Sequence, residues 1–326
     1  MRDDILAQPQ QIPDALWRCE AARVPREDLA GGLTVCGVGG SAVGSDLAAA
    51  AIGRRATRPL CTVRAYAPDP WLTPDTLVLC SSYSGNTDET LACFEAAGEA
   101  GAPRVALTTG GKLAERAREE GVPVIGVPSG MLPRASVIYM TVGALECAAA
   151  CGAAPSLREE VEGAAQVLSG LASDPSEAEE IAAVLEGTVP VVHGAESTAA
   201  VARRWKGQIN ENAEMAAFAS ELPEANHNEI EGWARGRELA PFSAVLLSAA
   251  GTHPRVQQRI DLTADVLDRL DVPVVRVAAR GETLAAQVLS LTMLGDLVSM
   301  ELAARTGVDA AAMDAIEGFK RELSDP

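Results

Sequence analysis

Residues 76–97, TLVLCSSYSGNTDETLACFEAA, carry the reading that decides the fold. Residues 76–80 form a short apolar run bounded by polar residues and predict a strand. The run ends in Ser81-Ser82-Tyr83-Ser84-Gly85-Asn86-Thr87, and residues 88–97 then follow helical spacing. A strand passing through a polar turn directly into a helix is the first half of a crossover unit. The same pattern occurs upstream, where the strand at 33–36 runs into Gly37-Val38-Gly39-Gly40-Ser41-Ala42 and a helix starts near Ser45, with Ser41 or Ser45 suited to cap it. Further strands are predicted at 62–66, 105–108 and 122–127, with a helix around 113–118 between the last two. Residues 1–30 read as one or two amphipathic helices. Strands and helices alternating at this spacing predict an α/β fold with a mostly parallel sheet flanked by helices.

The second half repeats the theme. An acidic helical stretch at 155–179 is broken by Ser-Asp-Pro-Ser at 173–176. A strand at 189–193 then leads through Gly194-Ala195-Glu196-Ser197 into a helix reaching Trp205, and strands follow at 244–248 and 274–277. The last helices are predicted at 284–305 and 311–323, separated by the turn at 306–309. Two similar α/β halves are expected, 1–152 and 153–326, with the C-terminal helices closing the site.

Composition narrows the function. The 326 residues carry a net charge of −18, 48% apolar residues and only 3% aromatics. An acidic surface repels phosphate backbones and anionic membranes, and few aromatics are present to stack on bases. Neither a nucleic-acid nor a membrane partner is expected. The seven cysteines are scattered singly, none in a C-x-x-C spacing, which fits free thiols in a reducing compartment. The first ten residues lack an apolar core, and the run 137–150 is short and holds Glu146, so a cytoplasmic protein is expected.

Gly37-x-Gly39-x-x-Ala42 satisfies the loose dinucleotide-binding pattern, but the second strand ends without the acidic residue that would hold a ribose. Gly111-Lys112 lacks the rest of a phosphate-binding P-loop. The loop 81–87 is more informative. Several hydroxyls and free N–H groups converge where a strand ends and a helix begins, a place suited to a phosphate dianion. A plain helix cap would need one hydroxyl rather than four. Arg134 follows a Pro-Ser-Gly turn after a strand end and is either a surface charge or a group that stabilises an anion. The block 205–233, WKGQINENAEMAAFASELPEANHNEIEGW, holds Glu211 and one of the three histidines, His227. Its density of amides and charges is too high for a core element. An acid/base pair on a strand-turn-helix scaffold is expected there, against a solvated glutamate and a core histidine. Lys320 shares an apolar stripe with Met313, Ile316 and Leu323, and either snorkels outward or points into a pocket.

Together, GVGGSAVGSD, SSYSGNTDET, PRAS, the QINEN…ELPEANHNEIEGW block and FKREL resemble the bifunctional phosphoglucose/phosphomannose isomerase family, built from two sugar-isomerase (SIS) domains. The resemblance runs from residue 37 to 323. It implies interconversion of glucose 6-phosphate and fructose 6-phosphate through a cis-enediol, with no metal or other cofactor. Gly40 and Ser41 would contact the sugar, and Ser82, Ser84 and Thr87 its phosphate. Glu211 would move the proton between C1 and C2, Arg134 would stabilise the enediolate, and His227 and Lys320 would assist ring opening. A homodimer with shared active sites, His227 being lent by the neighbour, is also implied. Where mannose 6-phosphate is accepted, the family uses a polar residue about two helical turns before the lysine. Met313 stands at that place, so the resemblance implies the glucose activity more firmly than the mannose one. The other readings are an isomerase of a different phosphosugar and a phosphosugar sensor without catalysis. A sensor usually carries a basic helix-turn-helix segment, and none is visible in this sequence.

Overall fold

The computed structural model of the chain describes residues 1–324, apart from the side chains of Arg237, Lys320 and Ser324. Two parallel sheets organise it. The first holds β1 (Gly32–Cys36), β2 (Leu60–Val63), β3 (Thr76–Ser81), β4 (Arg104–Thr108) and β5 (Val124–Gly126) in the order β2-β1-β3-β4-β5. The second holds β6 (Val189–Ala195), β7 (Phe218–Leu222), β8 (Phe242–Ser248) and β9 (Val274–Ala278) in the order β7-β6-β8-β9. Every residue of β1 and β3 is buried, as expected where helices cover both faces of a parallel sheet.

The N-terminal helices α1 (Arg2–Leu6) and α2 (Gln8–Ala21) precede β1. Crossovers in the first half are made by α3 (Gly40–Ile52), α4 (Asp88–Glu99) and α5 (Gly111–Glu119), and α6 (Val137–Ala150) follows β5. The acidic stretch forms α7 (Arg158–Ser173) and α8 (Ser176–Leu185), broken where Pro175 removes an N–H. In the second half, α9 (Ser197–Asn212), α10 (Glu229–Leu239) and α11 (Pro254–Arg269) make the crossovers, and α12 (Leu284–Thr306) and α13 (Asp314–Ser324) close the chain. Gly307, left-handed at φ 71°, ends α12.

Three expectations are corrected. The helix after β1 starts at Gly40, not near Ser45, because Gly39 turns the chain at φ 56° and no hydroxyl caps the helix. The strand expected at 62–66 occupies 60–63, since it pairs with β1 from Leu33–Leu60 to Cys36–Val63 and stops where β1 stops. Glu211 lies in the last turn of α9 rather than on a strand-turn-helix unit, and the following residues form β7, a short edge strand that periodicity did not single out.

One contiguous apolar core joins the halves, running from Leu33, Leu79 and Leu107 through Ile138, Leu168 and Trp205 to Val245, Leu247 and Leu297. Glycines permit two of its closest approaches. A Cβ on Gly44 of α3 would lie 2.4 Å from the Cβ of Met140 on α6, and one on Gly295 of α12 would lie 2.2 Å from the indole nitrogen of Trp205 on α9. Helix α12 is apolar and, at 23 residues, long enough to cross a membrane, but 83% of its most apolar window is buried inside the fold. A central position accounts for that composition.

The two halves also share a local device. Gly39 precedes α3 at φ 56°, ψ −132°, and Glu196 precedes α9 at φ 49°, ψ −118°. The same sharp strand-to-helix turn is made once by a glycine and once by a residue with a Cβ.

Candidate active site

In the first sheet the chain leaves β1 toward β2 on one side and returns to β3 on the other. The loops after β1 and β3 therefore diverge over the carboxyl edge, where parallel α/β sheets bind their ligands. The Gly37–Gly40 turn and the serine loop meet at this point. Ser41 Oγ accepts from the Tyr83 N–H at 3.3 Å, fastening the first turn of α3 to that loop. The Ser82 and Thr87 hydroxyls lie 2.8 Å apart, Gly85 N–H donates to Ser82 Oγ at 3.1 Å, and Asn86 N–H to Ser84 Oγ at 3.2 Å. Thr87 begins α4 without a side-chain cap bond, so the helix entrance keeps N–H groups for another acceptor. Gly85, at φ 69°, lets the loop lie against its neighbour: a Cβ there would sit 1.9 Å from the Gly110 carbonyl oxygen.

The loop after β5 joins the same edge. Tyr83 Oη donates to the Pro128 carbonyl at 3.2 Å and accepts from Met131 N–H at 2.9 Å. The chain then enters a single 3-10 turn, Pro133–Ser136. A Cβ on Gly40 would be 3.2 Å from the Pro133 carbonyl oxygen and 3.4 Å from Arg134 Cα, so the absence of a side chain eases the close approach of the Gly37–Gly40 turn to the arginine turn.

Arg134 is 3% exposed, which removes the surface-charge reading. Its Nη1 stands 3.7 Å from Glu211 Oε2, across from the end of α9, and the Glu211 side chain retains 36% exposure. The structure thus unites one group from each half: a cation after β5 and a carboxylate on α9. Burial pushes the Arg134 guanidinium below its ordinary value, opposed by the Glu211 charge and reinforced by Arg204; it remains a cation. Arg204 is itself buried and pairs through Nε and Nη2 with Asp296 of α12 at 3.0 and 3.1 Å. Burial raises the Asp296 carboxyl, and Arg204 opposes that rise. Arg134 and Arg204 are thus balanced by Glu211 and Asp296, so inside a chain of net charge −18 the cluster itself carries no net negative charge to repel an anionic substrate.

Not every expected residue joins this cluster. His227 is exposed, at the end of the 3-10 turn Glu224–His227 after β7, and forms no hydrogen bond or ion pair with Glu211 or Arg134. Lys320 falls within α13, and its side chain lies outside the described residues. Met313 is half-buried immediately before α13 and accepts through its carbonyl from Glu317 N–H at 2.8 Å. Among the described residues no three His, Cys, Asp or Glu side chains gather as a metal would need. Sequence reasoning gave no role to Arg204, Asn212 or Asp296, which surround Arg134. One signal was present: Asp296 is the sole charged residue in 284–300, and a lone acid in an apolar helix calls for a buried partner.

Comparison with known proteins places this geometry. Residues 174–323 match the model of the bacterial phospho-glucose isomerase C-terminal SIS domain. A bifunctional phosphoglucose/phosphomannose isomerase of Aquifex aeolicus (strain VF5) is 37% identical over 294 residues, covering 90% of both chains. The chain belongs to the bifunctional phosphoglucose/phosphomannose isomerase family. Another family member, from Caldicellulosiruptor bescii, is 33% identical over 337 residues, spanning 100% of this chain and 99% of its own. In shape, the two-SIS architecture matches a crystal structure of a hypothetical protein from Thermus thermophilus at a TM-score of 0.77 and 16% identity, covering 98% of this chain and 90% of that one.

Proposed function

We propose that this family member is a phosphohexose isomerase interconverting glucose 6-phosphate and fructose 6-phosphate by proton transfer through a cis-enediolate. The observation that carries the reading is the approach of Glu211 to the buried Arg134 at 3.7 Å, at the edge that also bears the serine loop. Glu211 takes the proton from C2 of the open-chain aldose. The C–H electron pair becomes the C1–C2 double bond, and the carbonyl electrons move to O1, which becomes anionic. Arg134 Nη1 offers its N–H groups to that charge from a buried guanidinium, whose fixed orientation costs no reorganisation as the charge develops. The O2 proton passes to O1, the O2 electrons form the C2 carbonyl, and the C1–C2 double-bond pair takes the proton back from Glu211 at C1, which completes the ketose. The phosphate is held by the Ser82, Ser84 and Thr87 hydroxyls and the start of α4, and Gly40 and Ser41 meet the sugar.

His227 and Lys320 serve ring opening in this proposal. His227 is supported as a residue lent to the neighbouring subunit of a homodimer by its exposed position, apart from Glu211 and Arg134 of its own chain. A thioether offers no hydrogen-bond donor, so Met313 favours glucose 6-phosphate over its C2 epimer. The test is Glu211→Gln. Turnover should fall by roughly 10²–10⁴-fold while fructose 6-phosphate still binds. Deuterium from solvent should then no longer enter C1 of fructose 6-phosphate. Unchanged turnover would remove the mechanism, and a wild-type chain that binds the ketose without any exchange would be a sensor instead.

A further inference from the structure

We propose that Asn212, together with Ser299 and the buried Arg204–Asp296 pair, are positioning residues that fix which edge of the Arg134 guanidinium faces Glu211; this rests on the isomerase reading above. A guanidinium is planar, with five N–H groups in a fixed fork, so anchoring two of its nitrogens determines where the third points. Arg134 Nε donates to Asn212 Oδ1 at 2.6 Å, and Nη2 donates to the carbonyl of Ala310, in the turn between α12 and α13. Nη1 remains and is the nitrogen that faces Glu211. The 3.7 Å between them is long for a direct hydrogen bond, which leaves the N–H groups of that edge for a substrate oxygen.

The direction of each bond in the network is settled by the next. Ser299 spends its hydroxyl proton on the Asp296 carbonyl at 2.7 Å, so its oxygen has only lone pairs to offer Asn212. The Asn212 amide must turn its NH₂ to Ser299, at 2.8 Å, and its oxygen to Arg134. The Arg134 backbone is held from the same helix. Its carbonyl accepts from Arg204 Nη2 at 2.6 Å, and Arg204 is fastened to Asp296, which also accepts from Gln8 Nε2 at 2.9 Å. Main chain and side chain of Arg134 are thus both referred to one turn of α12. A buried ion pair is weak evidence for stability, because apolar replacements of similar size often do as well. The feature that apolar side chains could not supply here is orientation.

The test is Asn212→Ala, read as the ratio of the inhibition constant of 5-phosphoarabinonate to the KM of fructose 6-phosphate. The inhibitor carries a carboxylate where the enediolate oxygens form, so it reports the aim of Arg134, whereas the substrate is held mainly by its phosphate. Binding of the inhibitor should weaken by about 10–100-fold, the loss of one well-aimed charge-assisted contact, with KM within about threefold and kcat reduced. A purely structural role would lower the melting temperature and the active fraction and leave the ratio alone; that result overturns the proposal. Ser299→Ala, which removes only the hydroxyl that orients the amide, should move the ratio in the same direction by about 2–10-fold and serves if Asn212→Ala does not fold. An unmoved ratio in that variant is equally fatal. Arg134→Ala separates the two levels. If it destroys the selectivity and the Asn212 and Ser299 variants do not, only the positioning role fails; if none of the three changes the ratio, the isomerase reading fails with it.

Discussion

Acidification should destabilise this protein through one histidine that takes no part in the site. His193 lies in β6, 2% exposed, with neither ring nitrogen hydrogen-bonded and the ring 5.9 Å from that of Trp233. Burial alone pushes its pKa from the ordinary 6.5 down to about 4. The unfolded imidazole therefore binds a proton first, and acid favours the unfolded chain. The contribution is fully present above pH 6.5 and is lost as pH falls toward 4. At about 1.4 kcal/mol per pH unit the whole span is worth roughly 3 kcal/mol, of which about 2 kcal/mol is lost by pH 5, before most carboxylates titrate. That corresponds to about a thirtyfold change in the folded-to-unfolded ratio. Urea denaturation followed by tryptophan fluorescence at pH 7.5, 6 and 5 measures it, with His193→Asn as the non-titrating control. The wild type should lose about 2 kcal/mol more than the variant between pH 7.5 and 5. Parallel pH dependences in the two proteins would refute the argument, since no other group is altered.

Two further outcomes follow from backbone geometry. Glu196 holds a left-handed conformation that a side chain disfavours, and its carboxylate makes one exposed bond, from His253 N–H at 3.1 Å. Glu196→Gly should therefore stabilise by about 0.5–1 kcal/mol, a rise of roughly 0.7–1.5 °C in Tm by calorimetry, because the strain relieved exceeds the chain entropy added. Gly85→Ala meets both a left-handed φ and the Gly110 carbonyl oxygen. It should destabilise by about 2–4 kcal/mol and raise KM for the phosphosugar more than it lowers kcat, as steady-state kinetics on the surviving folded enzyme would show.

Local signals were legible where the chemistry is local. The serine loop declared itself because strand, turn and helix are contiguous in 76–97, and the structure puts that loop at the reversal of strand order. Glu211 stands out by its surroundings, although the sequence pattern carries its helix only to Trp205, because the amides beyond do not follow an apolar stripe. Strand β7 was missed because five residues at an edge, with Phe218 exposed, give too little alternation to detect. What no pattern shows is pairing at long range. Arg204 and Asp296 are 92 residues apart and Arg134 and Asn212 are 78, distances over which only the folded chain assigns partners. Family resemblance named the endpoints of the site and left the struts between them unseen.

Helix α12 has a consequence for how the molecule works. Its sides are pressed at once against α3 from one half and α7, α8 and α9 from the other. A rod wedged in that way couples the two sheets, so any shift of one half against the other would have to repack its sides. Just past the end of that rod, the carbonyl of Ala310 reaches back to the arginine of the site, so the tail of the chain shares in holding a group that the first half supplies.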